Sequence, residues 1–359
     1  MLHALIMAGG GGTRFWPRSR AERPKQFLQL AGDGTLLQQA LDRIESLVPA
    51  ARSWVITAEK YRDLVARQVP RLIPEQIIGE PVGRDTAPCI AVAAALMARQ
   101  DPQGVMLVTP ADHIIEPAQE FRRAALVAEQ MTLDHPNAII TFGIRPTFPA
   151  TGYGYIHSGP RVSQRQGVDV FRAAGFREKP AADLAEQMLS TGEYFWNSGI
   201  FVWRTATILG ALKTNQPRLH DAAQRIADAW PTAKRDEVLR LEYQAMDRIS
   251  IDYAVMEKAK DVLIVEAPFR WDDVGSWRAL ERLHPQDADG NTVLAQHCGL
   301  NTKNCLVAAD EGTFVATIGV DNLLIVQDGD AILIADRRDE GAVKQLVERM
   351  RKKSLEKYL

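Results

Sequence analysis

The chain has 359 residues, 46% hydrophobic and 25% charged, values close to soluble globular averages that exclude disordered, fibrous and membrane-embedded classes. A formal charge of -2 gives no global attraction for nucleic acid or anionic lipid, so no nucleic-acid or membrane partner is expected and any phosphate binding must be local. Cys89, Cys298 and Cys305 show no CxxC spacing, which excludes a disulfide framework or a common zinc site and leaves them as reduced small hydrophobes. No basic region precedes the first apolar run, and the longest uncharged apolar stretch, "CIAVAAALMA", falls far short of the roughly 20 residues that span a bilayer, so a cytoplasmic location is expected.

In chain order, short β-branched runs alternate with helical patterns. "HALIMA" is followed by "TLLQQALDRIESL", "SWVITA" by "EKYRDLVARQV", and "QIIGEP" by an Ala-rich helix from about Thr86 to Arg99. "VMLVTPADH", a helix from about Ala118 to Leu133 and "AIITFGI" continue the series. This predicts an α/β fold with a Rossmann-like, mostly parallel mixed sheet flanked by helices, in which ligands bind beyond the carboxyl ends of strands. From Thr151 to about Arg204 the strands carry aromatics and glycines, as in an insertion that extends or covers the sheet. Helical periodicity returns between about Thr205 and Lys258, then "VLIVEAP" supplies a strand before the "WDDVGSW" turn. Beyond "HPQDADGN" closely spaced strands predict a small all-β unit, and a charged helix at about 340–353 closes the chain. The expected division is a catalytic domain over 1–285 and a C-terminal β unit with terminal helix over 286–359.

Behind the first strand stands "AGGGGTRFWPRSRAERPKQF", residues 8–27. A dinucleotide fingerprint fails, because Gly10 and Gly12 lead to Phe15, and Gly9 and Gly11 lead to Arg14. A P-loop fails as well, since Gly12 is followed by Thr13 and Arg14. What remains is a strand, a glycine run, Arg14 and Lys25. Glycines let backbone N–H groups approach anionic oxygens, and the two cations can neutralise a polyphosphate. Glycines alone would read rather as a chain-reversing turn; Arg14 and Lys25 at the strand end reverse that preference.

Other chemistry sits at later strand ends. Asp112 follows "VMLV", and Asp272-Asp273 follow "VLIVEAP". Carboxylates brought from two strands suit Mg²⁺, which prefers oxygen ligands, although a lone aspartate in such a place also serves turns and helix caps. "FREKP" puts Glu178 and Lys179 at another strand end, where a solvated terminus is the alternative.

These stretches, with "EPVGRDTAP", "TPADH", "NSGIF", "SIDYAVMEK" and "WDDVGSW", resemble the signature of nucleotide-sugar pyrophosphorylases, and within them the mannose-1-phosphate guanylyltransferases. The resemblance covers nearly the whole chain. It implies a nucleotidyltransferase (glycosyltransferase-A-like) fold with a left-handed β-helix-like C-terminal unit. It also implies transfer of GMP from GTP to α-D-mannose 1-phosphate, giving GDP-mannose and pyrophosphate with Mg²⁺ as cofactor. By the same resemblance the nucleotide is held by Ala8, Gly9, Gly10, Gly11, Gly12, Thr13, Arg14, Lys25, Gly83, Arg84, Asp85, Thr86, Pro110 and Asp112. The sugar phosphate falls to Gly152, Glu178, Lys179 and Asn197, and the metal to Asp112 and Asp273, with Asp272 a neighbour. Arg14, Lys25, Asp112, Lys179 and Asp273 carry the catalytic roles.

Family members commonly have asparagine at the position of Asp85, so this aspartate either accepts from guanine N–H groups or caps the helix beginning near Thr86. His113 is expected to be structural, because a sugar phosphate with a second pKa of about 6 is already a dianion and requires no base. The residues of "ISIDYAVMEK", together with Trp271 and Trp277, read mostly as packing. Rival readings are the same chemistry on another sugar 1-phosphate or nucleotide, and a non-catalytic GDP-mannose-binding regulatory subunit. The first is separated by a substrate matrix and the second by pyrophosphate release. Transferase activity alone is expected of a chain of this length, and a homodimer is compatible with it.

Overall fold

The computed structural model describes residues 1–10 and 12–359; Gly11, expected in the nucleotide loop, lies outside the described residues. The chain divides into two compact units, one of Met1–Gly9, Ala40–Ala111 and Ile115–Trp271, the other of Gly10–Gln39, Asp112–Ile114 and Asp272–Leu359.

In chain order the first elements are β1 (Leu2–Ala8), α1 (Leu36–Ile44), β2 (Ser53–Ala58), α2 (Arg62–Gln68), β3 (Ile77–Glu80), α3 (Thr86–Gln100), β4 (Val105–Pro110), a short β5 (Ile114–Glu116), α4 (Ala118–Asp134) and β6 (Ile139–Ile144). There follow β7 (Tyr155–Arg165), β8 (Val168–Arg177), α5 (Ala182–Thr191), β9 (Tyr194–Arg204), α6 (Thr205–Asn215), α7 (Pro217–Ala229), α8 (Arg235–Ala245), α9 (Ile251–Ala254) and β10 (Val262–Glu266). The first unit is built on a nine-stranded sheet in the order β3-β2-β1-β4-β9-β6-β10-β8-β7. β1 runs parallel to β2 and β4, and β10 parallel to β6. Strands such as "LHALIMA" and "VMLVTP" are apolar throughout because helices cover both faces of a parallel sheet.

The aromatic segment does more than cover this sheet. β9 enters its middle, antiparallel to both β4 and β6. Its sequence "YFWNSGIFVWR" explains the position, since Phe195, Trp196, Ile200, Phe201, Val202 and Trp203 are all buried and an edge would leave one face wet. α3 is buried from Ala87 to Met97; its alanines let it lie close to β1 while α6 and α7 pack on its far side.

The second unit contains β11 (Arg270–Asp272, of which Asp272 belongs here), α10 (Ala279–Leu283), β12 (Thr292–Leu294), β13 (Gln296–Leu300), β14 (Leu306–Ala308), β15 (Phe314–Ile318), β16 (Leu323–Asp328), β17 (Ala331–Asp336) and α11 (Val343–Lys352). β12, β14 and β16 run parallel in successive turns, as do β13 and β15, which makes a β-helix-like coil, and β17 closes it antiparallel to β16. Val343, Val347 and Met350 of α11 form an apolar stripe into this core.

The early loop shares that core. Phe15 meets Trp277 at 5.0 Å, and the Trp16 indole N–H donates to the Tyr358 carbonyl at 2.7 Å. Three of the loop's arginines anchor it there. Arg18 donates to Ala309 O, Arg20 to Asp328 O and to the Asp330 carboxylate, and Arg23 donates to both Asp328 carboxylate oxygens.

Candidate active site

Lys25 follows Pro24 and opens a single helical turn, Lys25–Phe27. The residue is only 8% exposed. Its ammonium donates to Asp112 Oδ2 at 2.8 Å and to the Asp273 main-chain carbonyl. Gly12 makes the turn possible: at φ 38° it occupies the left-handed region, and a Cβ there would lie 2.7 Å from the Lys25 nitrogen. Burial alone would push the Asp112 carboxyl up, but the Lys25 ammonium, His113 and the hydrogen bond from Lys25 outweigh it and hold the group below the ordinary aspartate value. His113 Nε2 stands 3.8 Å from Asp112 Oδ1, in keeping with a supporting role. Arg14 is exposed and reaches the Gly275 carbonyl at 3.5 Å.

The adjacent aspartates separate cleanly. Asp272 accepts from Arg282 at 2.6 and 3.0 Å and from the Val274 N–H at 2.8 Å. Val274 has φ 46°, a strained setting for a β-branched residue that the Asp272 bond helps to hold. The Asp273 carboxylate instead folds over Gly275, where a Cβ would come within 3.1 Å of its Oδ2. Among the described residues there is no group of three or more His, Cys, Asp or Glu placed to hold a metal.

In the first unit, Glu178 and Lys179 follow β8 and form a 3.0 Å ion pair. Lys179 has φ 43°, and its side chain is 61% exposed. Glu178 Oε2 lies where a Cβ at Gly154 would come within 2.6 Å, so that glycine makes the carboxylate's berth. Asn197 of β9 donates from Nδ2 to Asp252 Oδ1 at 3.0 Å. Gly152 is exposed, and a Cβ added to it would meet nothing within 4 Å.

Of the residues expected around the nucleotide, Ala8 ends β1 and its carbonyl accepts from Thr57 Oγ1 at 3.0 Å, while Pro110 ends β4. Asp85 caps α3, its Oδ1 accepting from the Thr86 N–H at 2.9 Å. Of the two readings left open for this residue, capping is the one observed. Exposed Gly83 precedes Arg84, which donates to Gln244 O at 2.5 Å, and Thr86 Oγ1 accepts from the Ile251 N–H at 2.8 Å. The segment "GRDT" is thus pinned to the chain just before α9.

Residues 3–290 match the family model for a nucleotidyl transferase, and residues 295–350 that for a MannoseP isomerase/GMP-like beta-helix domain. The chain belongs to the nucleotidyl transferase family. The mannose-1-phosphate guanylyltransferase of Escherichia coli K12 is 40% identical over 355 residues, covering 98% of this chain and 73% of its own. That of Klebsiella pneumoniae is 39% identical over 363 residues, covering 100% of this chain and 76% of its own. A Thermus thermophilus crystal structure, described as a mannose-1-phosphate geranyltransferase, superposes with a TM-score of 0.87 at 36% identity, covering 98% of this chain and 99% of that one. No helix among the described residues is long and apolar enough to cross a membrane.

Two further acidic residues, not singled out in the sequence, have carboxyls raised above the ordinary value. Glu80 ends β3 and is buried. Burial raises its carboxyl above the ordinary value although the Tyr243 hydroxyl donates to it. Asp252 lies on the four-residue α9 and is partly buried. Its carboxyl is pushed up to about 6, first by burial and then by the Glu178 carboxylate, with Lys179 and the Asn197 amide pulling the other way. The folded form therefore binds this proton more tightly than an unfolded aspartate near 3.8, so stability falls as pH rises across that interval. Asp252→Asn removes the group, and its expected effect is a gain on the order of 2 kcal/mol at pH 7.5 with a flatter profile between about pH 4 and 6. Thermal melts across that range measure it, and an unchanged profile would contradict the assignment.

Proposed function

We propose that this nucleotidyltransferase moves GMP from GTP to α-D-mannose 1-phosphate and releases GDP-mannose and pyrophosphate. The observation that carries the reading is the Lys25 ammonium held between Asp112 and Asp273 behind a glycine loop. The names of the relatives supply the substrates.

In this reading a sugar-phosphate oxygen attacks the α-phosphorus in line and pyrophosphate leaves from the opposite side. Lys25, Arg14 and the loop N–H groups hold the triphosphate, and Lys179 aligns the attacking phosphate. Glu178 accepts from sugar hydroxyls, and Asn197 can donate to one or accept from one. The Asp112 and Asp273 carboxylates fit Mg²⁺, because they are hard oxygen donors and leave positions for water and phosphate oxygens. Bound there, the ion would neutralise phosphate charge. His113 has no proton to take, since the nucleophile is already ionised.

Pyrophosphate release measured across a matrix of nucleoside triphosphates and sugar 1-phosphates with Mg²⁺ tests the proposal. The highest kcat/KM belongs to GTP with mannose 1-phosphate. A better pair, or no release with any, overturns it. Gly152 gives a local check: because an added methyl meets nothing in the chain, Gly152→Ala should melt like the parent. Its KM for mannose 1-phosphate should rise about tenfold, the cost of one extra carbon in a fitted site; an unchanged KM removes Gly152 from that site.

A further inference from the structure

The cluster around Asn197 holds more acceptors than donors. The Asn197 amide oxygen already accepts from Thr141 Oγ1 at 3.0 Å and from the Gly199 N–H at 3.4 Å, which fixes which end of the amide is nitrogen. One amide hydrogen is given to Asp252 Oδ1 at 3.0 Å, so Asn197 has a single N–H left to offer. Glu178 is close enough to raise the Asp252 carboxyl, while the Lys179 ammonium, which pulls it the other way, pairs with Glu178 at 3.0 Å. Among the described residues Asp252 Oδ2 receives no side-chain donor. Two carboxylates sharing one ammonium, one amide N–H and the Asp252 main-chain N–H still hold more acceptor positions than donors, and a polyhydroxylated ring is a ligand that brings donors.

We infer that Asp252 is a second sugar-binding carboxylate, whose Oδ2 accepts a hydroxyl of the hexose held by Glu178, and that Thr141 and Asn197 are positioning residues that orient it. This rests on the proposed mannose 1-phosphate reading. Its role is distinct from that of a packing residue: a helix residue whose only task is to hold Asn197 would influence every sugar alike, whereas an acceptor discriminates one hydroxyl.

The experiment uses the full chain. Wild-type turnover with GTP and mannose 1-phosphate is measured first, and its absence would remove the functional reading before Asp252 is tested. KM and kcat are then compared for mannose 1-phosphate and its 2-, 3-, 4- and 6-deoxy analogues in wild type and D252N. The expected result is a rise of about 10- to 100-fold in KM for mannose 1-phosphate, with KM for GTP unchanged and kcat within about threefold. One deoxy analogue, poor for wild type by about tenfold or more, should lose nothing further in D252N. An unchanged KM, or deoxy penalties that all persist in full in D252N, overturns the inference. D252S is carried through the same series, so a folding defect in one variant does not decide the outcome.

Discussion

Lys25→Ala is expected to slow pyrophosphate release by about 30- to 1,000-fold, the range for losing one preorganised charge contact of about 2 to 4 kcal/mol in a transition state. The size follows from what the ammonium touches. Lys25 is nearly buried, its charge lies on Asp112 Oδ2 at 2.8 Å, and it also donates to the Asp273 carbonyl. Removing it takes away a cation for the phosphates and the group that offsets the burial of Asp112, whose carboxyl would then drift upward. Lys25→Met separates charge from packing, because it retains the stem that fills the space beside Gly12. It should melt above the alanine variant, though below the parent because Asp112 loses the cation that offsets its burial. It should also remain as slow as the alanine variant. A fast Lys25→Met enzyme would show that the side chain's volume, not its charge, serves the reaction.

Strand-end logic singled out Asp112 and Glu178 as candidates from the sequence. Asp112 falls just after β4, whose partner β1 runs parallel to it, whereas Glu178 falls after β8, which is antiparallel to both of its neighbours. The same logic could not tell Asp272 from Asp273, because the distinction depends on Arg282, ten residues away, and on the backbone at Val274. It also left the place of β9 open: most of its residues are apolar, which fits a central strand, but the direction of pairing comes from how the chain returns and leaves no mark on composition. Arg18, Arg20 and Arg23 carry no sign in the sequence of their partners, which are carbonyls and carboxylates some 300 residues later. Asp252 was hidden for a related reason. In "SIDYAVMEK" Ile251, Ala254, Val255 and Met256 do pack, and a four-residue helix is too short for periodicity to single out the one that turns toward Asn197.

Asp273→Asn should cost turnover on the scale of the Lys25 variants, again about 30- to 1,000-fold, while the melting temperature stays near that of the parent. The amide keeps the shape that sits over Gly275 but removes the negative charge a hard cation needs. The Mg²⁺ concentration giving half-maximal rate should therefore rise together with the loss of kcat, and the Mg²⁺ dependence of pyrophosphate release measures both. Asp272→Asn supplies the opposite pattern. Its carboxylate is occupied by two Arg282 contacts and by the Val274 N–H, so its loss removes charged hydrogen bonds worth about 1 to 3 kcal/mol of stability and leaves Val274 less supported at positive φ. The melting temperature should drop, while the Mg²⁺ requirement of the remaining folded enzyme should not move. If the two variants exchanged these signatures, the metal ligand would be Asp272, and Lys25 would then be fastened to the backbone of the residue beside the ligand instead of to the ligand itself.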